Sequence, residues 1–184
     1  MIGESFAPPV SGRAETALES IHPPKRSSHR IAIHEAGHAV MAYLCGRRVG
    51  AVSAVPHGEV RGQVEYRGFT SFPARWLDDA RARRKLESEI LIALAGLAAE
   101  YVHPGPVDHA GAAADLARAL EIALAATADP EEATAFINWL FVRARNRLRE
   151  PVCRRAIKVL AAELSRHGSL TGPRVRSVLR RSLG

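Results

Sequence analysis

The stretch IAIHEAGHAVMAYL, residues 31–44, sets three ionisable side chains, His34, Glu35 and His38, in an otherwise almost wholly apolar run. On an α-helix, residues four apart are neighbours on one face. His34 and His38 therefore project their imidazoles together, at a separation that suits two ligands of one tetrahedral zinc ion. Glu35 lies about 100° round the helix from His34, poorly placed to ligate but able to reach a water on the metal. There it can take a proton as general base and later deliver it to a leaving amine. At the chain's own usage of His and Glu, the H-E-x-x-H pattern arises by chance with odds of roughly one in forty, so its surroundings matter. Ile31, Ile33, Ala36, Ala39, Val40, Met41, Ala42 and Leu44 make the helix apolar nearly all round. Such a helix is buried, and buried ionisable groups need a partner or a metal. Gly37 adds to this, because a mid-helix glycine costs about 1 kcal/mol relative to alanine and implies a close neighbour at that point of the backbone. The competing explanation is a pair of hydrogen-bonded core histidines beside a buried ion pair.

A catalytic zinc takes three protein ligands and keeps one position open. Downstream candidates for the third are His57, Glu100, His103, Asp108, His109 and Asp115. Asp115 stands in an alanine- and leucine-rich segment, on one face with Ala119, Ile122 and Ala126 when projected at helical spacing. An acid there also suits a helix N-terminus, where the macrodipole favours it. Residue types alone leave the two explanations level.

These residues need elements to hold them. The pattern predicts a helix over 29–45 that stops before Gly46. Two strands follow at VGAVSAVP (49–56) and RGQVEYRG (61–68), with a turn glycine between them. Residues 74–102 read as helix, broken near 80, and HPGPVDHAG (103–111) as a loop. Further helices are expected over 112–126, 131–149, 151–167 (from Pro151 to Gly168) and 172–182, the last with Thr171 as N-cap and Pro173 in its first turn. The fold class is thus mainly α with a small β-sheet, an α+β arrangement. Residues 1–28, with four prolines and no periodicity, read as a flexible leader with at most a turn of helix near 13–20, and 29–184 as one domain.

Composition narrows the functional classes. The chain has 184 residues, 47% of them hydrophobic and 24% charged, which is enough for a core and for solubility. Its longest apolar run, ILIALAGLAA (90–99), is about half of what a membrane span requires. MIGESFAPPVSGRAE has no secretory pattern. Two cysteines, Cys45 and Cys153, form no disulfide framework and fit a reducing cytoplasm. The net charge of +7 is mostly arginine, clustered in 143–155 and 174–182. Aromatics are only 5% and no nucleic-acid module is visible, so these clusters read first as solvated helix faces.

IHEAGHAVMAYL, VSAVPHGEVRGQVEY, LAGLAAE and GAAADLARALEIA occur in the order and spacing of the protease domain of FtsH-type ATP-dependent zinc proteases, which the chain resembles over roughly residues 30–182. The closing LAAELSRHGSLTGPRVRSVL is similar to that family's last helices. The resemblance implies His34 and His38 as zinc ligands, Glu35 as base and Asp115 as third ligand. Glu100 falls on the first acid of the family's AAEE stretch. It is either a hydrogen-bond acceptor behind the site or, the reading preferred here, a structural acid. The family's strand edge that receives peptides by β-augmentation would fall near residues 60–68. The sequence departs from the family where Ser-Thr before GA becomes His109-Ala110 and where Asn before the aspartate becomes Ala114. His109 is accordingly a second candidate to support the site, or an alternative ligand. Neither GxxxxGK[ST] nor a hydrophobic anchor is present.

Two functions remain open. The first is a zinc-dependent metalloendopeptidase acting on flexible or unfolded protein without ATP, with a separate ATPase or adaptor and assembly with its own copies as candidate partners. The second is a catalytically silent module that binds a protein or nucleic acid through the basic C-terminal helices. The retained Glu35 favours the first, since a purely structural metal site has no use for a base.

Overall fold

The computed structural model describes residues 28–55, 62–66, 79–107 and 112–184. In chain order these form α1 (Ser28–Leu44), β1 (Val49–Ser53), β2 (Gln63–Tyr66), α2 (Ala80–Val102), α3 (Ala113–Thr127), α4 (Pro130–Arg149), α5 (Pro151–His167), β3 (Ser169–Leu170) and α6 (Gly172–Leu183). The protein is mainly helical, with one small sheet, as the sequence pattern predicts.

Local chemistry sets most boundaries. Asp79 caps α2, its carboxylate accepting from the backbone N–H of Arg81 at 2.9 Å and of Ala82 at 3.2 Å. The break expected near 80 in the 74–102 helix is this cap, with α2 beginning at Ala80, while 74–78 lie outside the described residues. Asp129 caps α4 in the same way through Glu132 N at 2.7 Å, with Pro130 in the first turn. Arg147 and Arg149 close that helix where its dipole favours cations. Glu150 then ends α4 and precedes Pro151 at the start of α5. Gly168, at φ +74°, lets α5 reverse into β3, and its carbonyl accepts from Ala54 N at 2.8 Å. Thr171 occupies the N-cap of α6, with Pro173 in the first turn, but its hydroxyl makes no capping bond.

The sheet has the order β2-β1-β3, antiparallel throughout. Val52 stands opposite Val64 on one side and Leu170 on the other, and the β1–β2 register shifts between Val49 and Val52. Among the described residues, β2 is an outer strand. Its expected extension into 61 and 67–68 falls outside the described residues, as does the leader 1–27.

Two apolar clusters share α2 as a wall. One gathers Ile31, Ile33, Ala36, Val40 and Met41 of α1 with Val52, Ile92, Ala99, Ile157, Leu160 and Leu179. The other joins Leu86, Ile90 and Leu94 of α2 to Ala119 and Ile122 of α3 and Leu140 of α4. Every residue of α1 from Arg30 to Ala42 is buried, charged ones included. Gly37 is a point of close approach between α1 and α2: a Cβ there would lie 2.6 Å from the Ala95 carbonyl oxygen and 2.5 Å from the Ala99 Cβ. The mid-helix glycine thus has the close backbone neighbour that its position implies. Among the described residues, no helix is long and apolar enough to cross a membrane.

Candidate metal centre

α1 supplies His34 and His38 on one face, and α3 supplies Asp115 from its first turn. The packing of Ala119 and Ile122 against α2 carries Asp115 to the histidines, some eighty residues away in the chain. Asp115 Oδ2 lies 2.8 Å from His34 Nε2 and 3.2 Å from His38 Nε2. The three ligand-type atoms are all within 4.8 Å of one another, and this is the only such group among the described residues. Ligands about 2.0–2.1 Å from a tetrahedral ion stand roughly 3.3 Å apart, so the two measured separations already approach that spacing.

The outer nitrogens of both rings are engaged. His38 Nδ1 donates to the Ile92 carbonyl at 2.7 Å, an acceptor that requires the proton on Nδ1. His34 Nδ1 donates to Glu100 Oε1 at 2.8 Å. Each neutral imidazole would thus present the Nε2 lone pair towards the Asp115 oxygen. Lone pairs facing a carboxylate need a positive charge between them, either a proton or a cation. The same pattern is shown by His38 in the metal-free protein. Burial disfavours its charged form, but the Asp115 charge and hydrogen bond, then Glu35 and the Ile92 carbonyl, raise its pKa to about 9. Burial alone would raise the Asp115 carboxyl, yet His38 and the hydrogen bonds from both imidazoles hold it well below the usual carboxylate range.

Space is left where an ion would sit. Gly96 of α2 faces the imidazoles, and a Cβ on it would overlap Nε2 of both His34 and His38. The donor set, the committed Nδ1 atoms and this glycine cradle all fit a small divalent cation that favours nitrogen and oxygen ligands. Glu35, 7% exposed, has Gly62 at the entrance to β2 packed against its carboxylate. A Cβ on Gly62 would overlap Glu35 Oε1.

The remaining candidates separate clearly. Glu100, 1% exposed, accepts from His34 and also pairs with Arg30. His103 is buried away from the cluster, with burial, Arg154, Lys158, Arg30 and His29 lowering its pKa to about 4. His57, Asp108 and His109 lie outside the described residues. Gly62, Gly96 and Arg30 were not singled out by residue type. For Gly96, a glycine inside an alanine-rich helix was the available signal, the same one that marks Gly37.

Several arginines of the basic clusters are committed within the fold. Arg174 forks onto Glu163 at 2.8–3.1 Å, Arg176 donates to the Val49 carbonyl at 2.8 Å, and Arg147 grips Glu150 at 2.9 Å.

Comparison with known proteins gives one family: residues 22–129, more than half of the chain, match the sequence model of peptidase family M41. No curated protein matches.

Proposed function

Since the chain belongs to peptidase family M41, we propose that it is a zinc-dependent endopeptidase whose metal is held by His34, His38 and Asp115. The observation that carries this reading is the convergence of His34 Nε2, His38 Nε2 and Asp115 Oδ2 while both Nδ1 atoms are occupied by Glu100 and Ile92. Two imidazoles and a carboxylate suit zinc, and two neutral nitrogens argue against the all-oxygen preference of calcium or magnesium. When bound, zinc supplies Lewis-acid polarisation of the scissile carbonyl and acidification of water.

The chain's own groups do the rest. Glu35 is buried beside this cluster but outside the ligand set, so its carboxylate can accept the proton of the attacking water. It then returns that proton to the leaving amine nitrogen, so that the C–N bond breaks to a neutral amine. Burial of Glu35 and both histidines keeps bulk water from screening these charges. Glu100 and the Ile92 carbonyl hold the imidazole rings in orientation.

Substrate is an extended segment of flexible or unfolded protein. Among the described residues β2 is an outer strand, and Gly62 at its entrance stands against the Glu35 carboxylate. A peptide paired along the open side of β2 would therefore run past the base. The chain acts on segments that are already flexible, or that a partner delivers.

Glu35→Gln tests the assignment. It should retain one zinc per chain and lose at least a hundredfold in cleavage of a quenched, unfolded casein substrate. Asp115→Ala should lose the zinc. A fully active Glu35→Gln protein would refute the role of the base, and zinc bound as tightly to Asp115→Ala as to wild type would refute the ligand set.

A further inference from the structure

One turn before His34 on α1 lies Arg30, a charged residue only 8% exposed. Among the described residues its guanidinium makes two sets of contacts. Nη2 donates to Glu100 Oε2 at 3.3 Å and to the Glu100 carbonyl at 3.2 Å. Nη1 donates to the Pro104 carbonyl at 3.1 Å and reaches the His103 carbonyl at 3.5 Å. The Glu100 carbonyl belongs to the last turn of α2 and the other two lie just past it, so the guanidinium also closes that helix end, where carbonyls lack helical partners. Gly105, at φ +126°, leaves room for the guanidinium, since a Cβ there would stand 3.1 Å from Nη1.

Resting on the reading that His34, His38 and Asp115 hold zinc, we propose that Arg30 is a positioning residue of the metal centre, acting through Glu100 on His34. Glu100 divides its two oxygens between partners: Oε1 takes the His34 Nδ1 proton at 2.8 Å and Oε2 takes the guanidinium. Its side chain is fully buried. A carboxylate in that setting needs a counter-charge, and removing one member of a buried pair leaves the other uncompensated. The imidazole N–H alone neither supplies that charge nor prevents the carboxylate from turning about its last torsion. The fork of Arg30, anchored on three backbone carbonyls, stops that rotation and so keeps Oε1 on Nδ1. His34 then stays in the orientation and tautomer that presents Nε2 towards Asp115. Among the described residues, Arg30 reaches His34 through the Glu100 carboxylate.

Closing the end of α2 is a rival role for the same guanidinium, and a double-mutant cycle on the full chain separates the two. Zinc affinity would be measured by competition with a chromophoric chelator for wild type, Arg30→Met, Arg30→Lys, Glu100→Gln and the Met/Gln and Lys/Gln double variants. Thermal melts of the metal-free proteins would report the helix-end role separately. Arg30→Met is expected to weaken zinc binding about 10–100-fold, the range for losing a group that orients a ligand. Arg30→Lys is expected to lose less, because an ammonium keeps the charge without the planar fork. Once Glu100 is glutamine, replacing Arg30 should weaken zinc binding by no more than about twofold further. Losses that multiply in the double variants, or an Arg30→Met protein within about threefold of wild type, would overturn the proposal. Should Arg30→Met lack a cooperative melt, the lysine arm of the cycle decides by the same criterion. A wild-type chain that binds no zinc overturns the underlying ligand set and this inference with it. Zinc-binding wild type with unaffected variants overturns only this inference.

Discussion

Replacing Gly96 by alanine sets two effects of one methyl group against each other. In an isolated helix the change should help, because alanine is favoured over a mid-helix glycine by about 1 kcal/mol. In this protein the methyl would enter the space between the two imidazoles, overlapping Nε2 of His34 and of His38. Relief needs a shift of roughly 1 Å, since carbon and nitrogen in van der Waals contact stand about 3.5 Å apart. Moving α2 away as a body is resisted by its close seating on Gly37 through Ala95 and Ala99. Turning the rings instead stretches the Nδ1 bonds to Glu100 and Ile92, now 2.8 and 2.7 Å. Each buried polar group left unpaired costs about 1–3 kcal/mol. The net effect on the metal-free fold is therefore a loss of a few kcal/mol at most. A metal centre, in contrast, tolerates only about 0.2 Å in its ligand distances. Zinc affinity should fall at least a hundredfold and peptide hydrolysis with it, while the far-UV circular dichroism stays that of a folded helical protein. Chelator competition, a casein cleavage assay and a melt in EDTA check the three statements together. A Gly96→Ala protein that binds zinc within about threefold of wild type and turns over substrate would refute the cradle argument.

Gly62→Ala should give the opposite division of effects: a Cβ there displaces the Glu35 carboxylate and leaves the ligand atoms alone. Zinc affinity should stay within about threefold of wild type while kcat falls at least tenfold, as befits loss of a correctly placed general base; equal losses in both would contradict it. The metal-free protein should also show a pH signature, because the pKa of His38 is raised from 6.5 to about 9 in the folded state. The resulting stabilisation is fully present below pH 6.5 and is lost as pH rises through about 9; denaturant melts in EDTA between pH 6 and 10 would show it. Zinc must displace that proton, so its affinity should rise about tenfold per pH unit over the same window; a flat profile would exclude proton displacement from His38.

Most helix boundaries were legible because their causes are local. Pro151 and Gly168 bracket α5 through fixed or left-handed backbone angles, and Asp129 with Pro130 opens α4 through a cap. β3 was not legible: two residues, Ser169 and Leu170, have no periodicity, and only their pairing with Val52 and Ser53 makes them a strand. The upstream end of α2 was legible for the same local reason as α4 and α5. The expected break near 80 falls at the side-chain cap of Asp79, which opens α2 at Ala80.

At the candidate site, the histidine pair and Glu35 could be read from one turn of helix, since four residues suffice to state their geometry. Residue types and spacing alone did not single out Asp115, because its distance from His34 depends on how α3 packs on α2; it was singled out only through the family resemblance of GAAADLARALEIA. Glu100 was harder still. A buried acid on a helix is structural or positioning according to what faces it, and both partners that decide the matter, His34 and Arg30, lie on another element. Glycines form the third kind of gap. They carry no chemistry, so a search for reactive groups passes over Gly62 and Gly96, although each stands where any other residue would fill the space of a functional atom. The signal existed: glycine costs a helix about 1 kcal/mol over alanine, and LAGLAAE places one between alanine- and leucine-rich turns. The physical reasoning that identifies Gly37 as a point of close approach applies unchanged to Gly96. The site is thus specified as much by atoms the sequence omits as by the histidines it displays.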